Sequence, residues 1–168
     1  MRDRKPSHRL ALFPASFDPI TNGHLDLIHR SRAIFDETVL AVARNVSKNA
    51  AFSAEERLDI LEAVTDEMED VSVQVFDGLV VHHAQQIGAS AIIRGLRAMS
   101  DFEYEFEMAL MNKHLASDVE IVFFMTSQEY LYVSSSRLKE LVRFGASVDE
   151  FVPAIVANAL KRKLRESD

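Results

Sequence analysis

The chain has 168 residues, 48% hydrophobic and 27% charged, the size and balance of one globular domain with a single core. It contains no cysteine, which excludes disulfide frameworks, thiolate metal sites and cysteine nucleophiles. Nineteen Lys and Arg against 26 Asp and Glu leave a net charge of −7, a poor basis for sequence-independent nucleic-acid binding, though a local basic pocket for a small anion stays open.

Apolar runs such as Val39–Ala43 and Ile121–Met125 are five residues long, far short of the roughly 18 that a membrane span needs. Arg2, Arg4, Lys5 and Arg9 precede only four apolar residues, Leu10 to Phe13, too few for a signal-peptide core. A cytoplasmic protein with neither a membrane nor a nucleic acid as partner is expected. Its single domain spans residues 1–168, with 1–8 as a flexible extension.

Short β-branched runs alternate with helical patterns. Arg9–Pro14 is the first strand, followed by a helix over Gly23–Phe35. Thr38–Arg44 and a helix over Ala54–Glu69 come next, then Val71–Phe76 and Leu79–Ile87. Ala91–Arg94 precedes a helix over Asp101–His114. Val119–Met125 precedes helices over Ser136–Phe144 and Asp149–Leu164. Ser53 with Glu56 forms a capping box, and Gly88 stops the third helix. The alternation predicts an α/β protein: one doubly wound, Rossmann-like domain with a five-stranded parallel sheet and C-terminal helices. Residues 55–70 hold eight acids and one base, Arg57, and read as a solvated helix face.

In such a sheet ligands sit beyond the carboxyl ends of the strands. The loop after the first strand runs Phe13-Pro14-Ala15-Ser16-Phe17-Asp18-Pro19-Ile20-Thr21-Asn22-Gly23-His24. His24 begins a stripe with Leu27, Ile28, Ser31 and Phe35, so its imidazole points into the crevice beside a helix N-terminus that favours phosphate. Taken alone, Asn22-Gly23 is a turn and His24 a capping or core histidine. The loop as a whole resembles the signature of the nucleotidyltransferase superfamily, whose (H/T)-x-G-H motif is Thr21-Asn22-Gly23-His24 here.

Other polar residues follow other strands. Lys48 follows the second. Arg94-Gly95-Leu96-Arg97 follows the fourth, with two guanidinium forks suited to phosphate and a glycine that permits close backbone approach. Tyr130-Leu131-Tyr132-Val133-Ser134-Ser135-Ser136-Arg137 follows the fifth, with serines opening a helix. Each has a plain reading as a solvated charge, a turn or an N-cap; together they converge on one sheet edge.

With Asp101-Phe102-Glu103-Tyr104-Glu105 added, the chain resembles the bacterial phosphopantetheine adenylyltransferases from about Leu10 to about Leu164. That resemblance implies transfer of AMP from ATP to 4′-phosphopantetheine, giving dephospho-coenzyme A and pyrophosphate, with Mg²⁺ accompanying ATP. It implies that Ser16 binds both substrates, that Phe17 binds ATP, and that His24 contacts ATP and stabilises the transition state. Lys48, Val80 and Arg94 would contact phosphopantetheine. Gly95, Leu96, Arg97, Glu105 and the stretch Tyr130, Leu131, Tyr132, Val133, Ser134, Ser135 and Ser136 would contact ATP. A homohexamer is implied as well, with no protein metal site. Three positions depart from the pattern: Ala15 replaces a usual glycine, Val80 a longer side chain, and Lys139 the superfamily arginine.

Rival readings are another small-molecule nucleotidyltransferase, a non-catalytic nucleotide sensor and a tRNA-binding module. The adjacent His82 and His83 diverge on a helix, and His24 and His29 lie five apart; neither pair suits a shared metal. Met108 and Met111, among Phe102, Phe106 and Leu110, read as core or as a subunit contact.

Overall fold

The computed structural model describes residues 8–44 and 50–165. Strands β1 (Leu10–Ala15), β2 (Glu37–Ala43), β3 (Val71–Phe76), β4 (Ala91–Leu96) and β5 (Glu120–Met125) alternate with helices α1 (Asn22–Ser31), α2 (Ala54–Thr65), α3 (Val80–Ile87) and α4 (Met99–Leu115). A one-turn 3-10 helix (Gln128–Tyr130), α5 (Ser135–Arg143) and α6 (Ala154–Arg165) complete the chain. The strands form one parallel sheet in the order β3-β2-β1-β4-β5. This is the expected doubly wound α/β fold.

β1 is central, pairing Leu12 with Val39 on one side and with Ile92 on the other. Successive strand residues face opposite ways, and both faces are covered. Ala11, Phe13, Leu40, Val42 and Ile93 pack with Leu27 and Ile28 of α1, Leu61 of α2, Leu138 of α5 and Leu160 of α6. Leu12, Val39, Ala41 and Ile92 pack with Val81 and Ala84 of α3. Strand order reverses between β1 and β4, so the loops leaving their carboxyl ends diverge and open a crevice.

Local signals set most of the boundaries. Ser53 Oγ accepts from the Glu56 N–H at 3.1 Å, and Glu56 Oε2 accepts from the Ser53 N–H at 2.7 Å. Three helices differ from expectation for identifiable reasons. α1 stops at Ser31, whose hydroxyl donates to the Ile28 carbonyl at 2.8 Å and bonds Thr38 Oγ1 at 3.0 Å; Phe35 is buried all the same, from the turn that follows. α2 stops at Thr65, whose hydroxyl returns to the Leu61 carbonyl at 2.8 Å. α6 begins at Ala154, not near Asp149, because Pro153 keeps the residue before it out of helical geometry and serves as a helix start.

On α4, Phe102, Phe106, Met108, Leu110 and Met111 are exposed, which removes the core reading of this cluster within the chain. The acidic side of α2 is solvated at Glu55, Asp59 and Glu62, but Arg57 is buried. No helix among the described residues is long and apolar enough to cross a membrane.

Gly88 ends α3 with φ +72°, and an added Cβ there would meet nothing within 4 Å. Gly88→Ala therefore tests backbone strain alone. It is expected to destabilise the fold by about 1–2 kcal/mol, read as a lower urea midpoint with an unchanged slope. An unchanged midpoint would contradict the left-handed cap.

Candidate active site

The crevice is a cavity of about 400 Å³ at the carboxyl ends of β1, β4 and β5. The first loop supplies Pro14, Ala15 and Ser16; the start of α1 supplies Thr21, Gly23 and His24; β4 and its loop supply Arg94, Gly95 and Arg97. Thr126, Tyr130 and residues 133–136 close it from the β5 side.

Thr21 and His24 hold each other. The Thr21 hydroxyl accepts from the His24 N–H at 3.3 Å, capping α1. The His24 ring turns back, and its Nδ1 accepts from the Thr21 N–H at 3.1 Å, with Thr21 Oγ1 at 2.9 Å. A backbone N–H only donates, so Nδ1 carries no proton in the neutral ring and Nε2 does. His24 thus presents an Nε2–H donor at the cavity it lines. Its ring lies against Phe17 and Phe13, with centroids 5.3 and 6.4 Å away. An added Cβ at Gly23 would lie 3.2 Å from Tyr130 Cβ, so glycine lets the 3-10 turn close over the start of α1.

The helix N-termini are less open than the sequence suggests. In α1 the Asn22 N–H donates to the Phe151 carbonyl at 2.8 Å and the His24 N–H to Thr21. In α5 Ser134 is the N-cap, accepting from the Arg137 N–H at 3.3 Å, and the Ser135 hydroxyl donates to the Pro19 carbonyl at 2.8 Å. Ser136 is exposed on the cavity lining.

Both arginines are already engaged. Arg94 makes a two-pronged pair with Glu105 (Nε to Oε2, 2.7 Å) and donates to the Pro14 carbonyl at 3.1 Å. Arg97 donates to Asp101 Oδ2 at 3.3 Å and to the Val133 carbonyl at 3.3 Å. Glu105 and Asp101 lie on α4, so that helix supplies the counter-charge for both guanidinium groups.

Of the positions singled out in the sequence, Ser16, His24, Arg94, Gly95, Arg97, Tyr130 and Val133 to Ser136 line the cavity together. Phe17 is buried behind His24, and Leu96 is buried in the core. Glu105 reaches the site only through Arg94. Val80 packs beside Leu12 and Val39 on the α3 face of the sheet. Leu131 and Tyr132 are exposed and do not line the cavity. Lys48 lies outside the described residues. Lys139 pairs with Asp18, whose carboxylate also accepts from the Ala51 and Phe52 N–H groups at 3.0 and 2.9 Å. Gly95 meets Leu27, since an added Cβ would come within 2.6 Å of its Cδ1. Thr126 went unread in the sequence, although its place just past β5 was the available signal.

Burial pushes the His24 imidazole down to about 4, and the Arg97 charge adds to the effect. The ring is therefore neutral at pH 7. Between about 4 and the ordinary 6.5 the unfolded chain binds a proton that the folded ring refuses, so stability falls as pH drops through that window. An NMR titration is expected to place the His24 midpoint near 4, and Arg97→Met to move it up. A midpoint at or above 6.5 would contradict this environment.

A family model described as cytidylyltransferase-like matches residues 12–141. A curated protein named phosphopantetheine adenylyltransferase, from Caldanaerobacter subterraneus subsp. tengcongensis, is 50% identical over 159 residues, covering 95% of this chain and 99% of that one. Another of the same name, from Desulfitobacterium hafniense, is 50% identical over 92% of this chain and 95% of its own length. Among solved structures, a Plasmodium falciparum nicotinic acid mononucleotide adenylyltransferase complexed with NaAD superposes with a TM-score of 0.69, covering 96% of this chain and 99% of that one. At 9% identity that likeness speaks for the fold alone. The chain belongs to the cytidylyltransferase-like family and, within it, to the phosphopantetheine adenylyltransferases.

Proposed function

We propose that the chain transfers the adenylyl group of ATP to 4′-phosphopantetheine in the cytoplasm, releasing pyrophosphate and forming dephospho-coenzyme A. The observation that carries this reading is the fixed Nε2–H donor of His24 in a cavity shared with Arg94 and Arg97. A phosphate oxygen of the acceptor forms a bond to the α-phosphorus, and the bond from that phosphorus to the β-phosphate oxygen breaks, pyrophosphate leaving with the electron pair. The attacking phosphate is already an anion, so no general base is required. What the protein must supply is alignment and donors aimed where charge builds.

His24 donates to the transferring phosphoryl group. Arg94, with Lys48 and Val80, receives the phosphopantetheine side, and Ser16 touches both substrates. Gly95, Arg97, Tyr130 and the Val133–Ser136 stretch, which line the cavity, serve ATP, with Phe17, Leu96, Glu105, Leu131 and Tyr132 supporting them from outside it. Mg²⁺ enters with ATP; no group of three His, Cys, Asp or Glu suited to a metal occurs among the described residues, so phosphates and water would supply most of its ligands.

The assay is pyrophosphate formation from Mg-ATP and 4′-phosphopantetheine, with unphosphorylated pantetheine and nicotinate mononucleotide as control acceptors. His24→Ala is expected to lower kcat by about 10²–10³ with little change in the ATP KM, because the hydrogen bond strengthens as charge develops. Unchanged kcat with a large rise in KM would make His24 a ground-state contact only. Turnover of another acceptor in preference would overturn the substrate assignment.

The apolar side of α4 supports self-association, for which the family resemblance implies a homohexamer: Phe102 and Phe106 stack with centroids 5.7 Å apart, and Leu110, Met111 and Leu115 are exposed beyond them. Sedimentation is expected to show a hexamer that Leu110→Glu with Met111→Glu dissociates. A monomer at all concentrations would overturn it.

A further inference from the structure

Arg57 reads in the sequence as one base in a solvated acidic face, yet it is 2% exposed and heads the fully buried side chains by volume. Its Nη1 donates to the Ser16 carbonyl at 2.6 Å and to the Ala43 carbonyl at 3.2 Å, and its Nε to the Ser53 carbonyl at 3.1 Å. These acceptors belong to the loop after β1, the end of β2 and the cap of α2. No carboxylate among the described residues lies within ion-pairing distance. Burial lowers its pKa from the ordinary value, but a guanidinium stays charged at neutral pH.

A buried cation whose direct contacts are all neutral carbonyls, with Asp18 and Glu55 acting on it only at longer range, is weak as a stabilising device, and an apolar side chain of similar volume would fill the space. The planar fork adds simultaneous reach to three backbone segments. One of them, Ser16, lines the cavity. The next residue, Phe17, has φ +47°, a left-handed conformation that a bulky side chain adopts only when its surroundings impose it. Asp18 and Pro19 are held in turn by Lys139 and by the Ser135 hydroxyl. The guanidinium is the brace on the cavity end of this loop. Its direct partners are carbonyls, with the Asp18 and Glu55 charges at longer range, whereas Arg94 and Arg97 bond directly to Glu105 and Asp101.

We propose that Arg57 is a positioning residue for adenylyl transfer, fixing the Ser16–Phe17 backbone so that the cavity face of Ser16 is in place before the nucleotide binds. The proposal rests on the reading of this cavity as the substrate site.

The test is steady-state kinetics of Arg57→Met and Arg57→Lys in the full chain, with rates expressed per folded molecule from circular dichroism. Arg57→Met is expected to lose on the order of 10²-fold in kcat/KM for ATP, and Arg57→Lys to recover about tenfold of it, since an ammonium reaches fewer carbonyls than the fork. Wild-type kcat/KM per folded molecule in either variant would overturn the proposal, as would a lysine variant no better than methionine. If Arg57→Met does not fold, the lysine variant decides: a loss of about tenfold per folded molecule supports the brace, and no loss overturns it. An inactive wild-type enzyme would instead contradict the assigned reaction.

Discussion

One backbone N–H, that of Thr21, holds the His24 imidazole in the cavity wall. By donating to His24 Nδ1 it settles which nitrogen of this cavity-lining ring holds the proton. The Thr21 hydroxyl closes the exchange by capping the helix that carries His24, so the turn that starts α1 also aims its functional group. Ring packing against Phe13 and Phe17 keeps the imidazole neutral, which suits a hydrogen-bond donor that stabilises charge as it develops. The sheet makes this useful: β1 and β4 are neighbours whose outgoing loops diverge, which brings His24 and Arg94 to one cavity.

The acidic balance of the chain is reconciled with anion binding by placement. Arg94 and Arg97 each meet a carboxylate from α4, which holds the guanidinium groups at the cavity and limits their mutual repulsion before substrate arrives. The same helix carries the exposed apolar side.

Much of the fold was legible because local signals and burial agreed. The doubly buried run of β1, the Ser53 box and the left-handed Gly88 cap are each written in a few adjacent residues. Thr21-Asn22-Gly23-His24 stood out as a candidate site through the resemblance of the whole loop to the superfamily signature, since taken alone it reads as a turn and a cap. What was not legible depends on partners distant in sequence. Arg57 is indistinguishable from a surface charge until the carbonyls of Ser16, Ala43 and Ser53 surround it. Lys139 stands where the superfamily pattern has arginine, and spacing does not reveal that its partner is Asp18, 121 positions away in the chain. Nor does spacing reveal that the Phe151 carbonyl occupies an N–H at the start of α1.

The most direct measurement is the tautomer of His24 in the free protein, read from nitrogen-15 chemical shifts and ring proton couplings near pH 7. The predicted spectrum has an unprotonated Nδ1 and a protonated Nε2, because Nδ1 accepts from the Thr21 N–H. A ring protonated at Nδ1, or one exchanging evenly between tautomers, would mean that Thr21 does not hold the imidazole and that no donor is fixed toward the cavity.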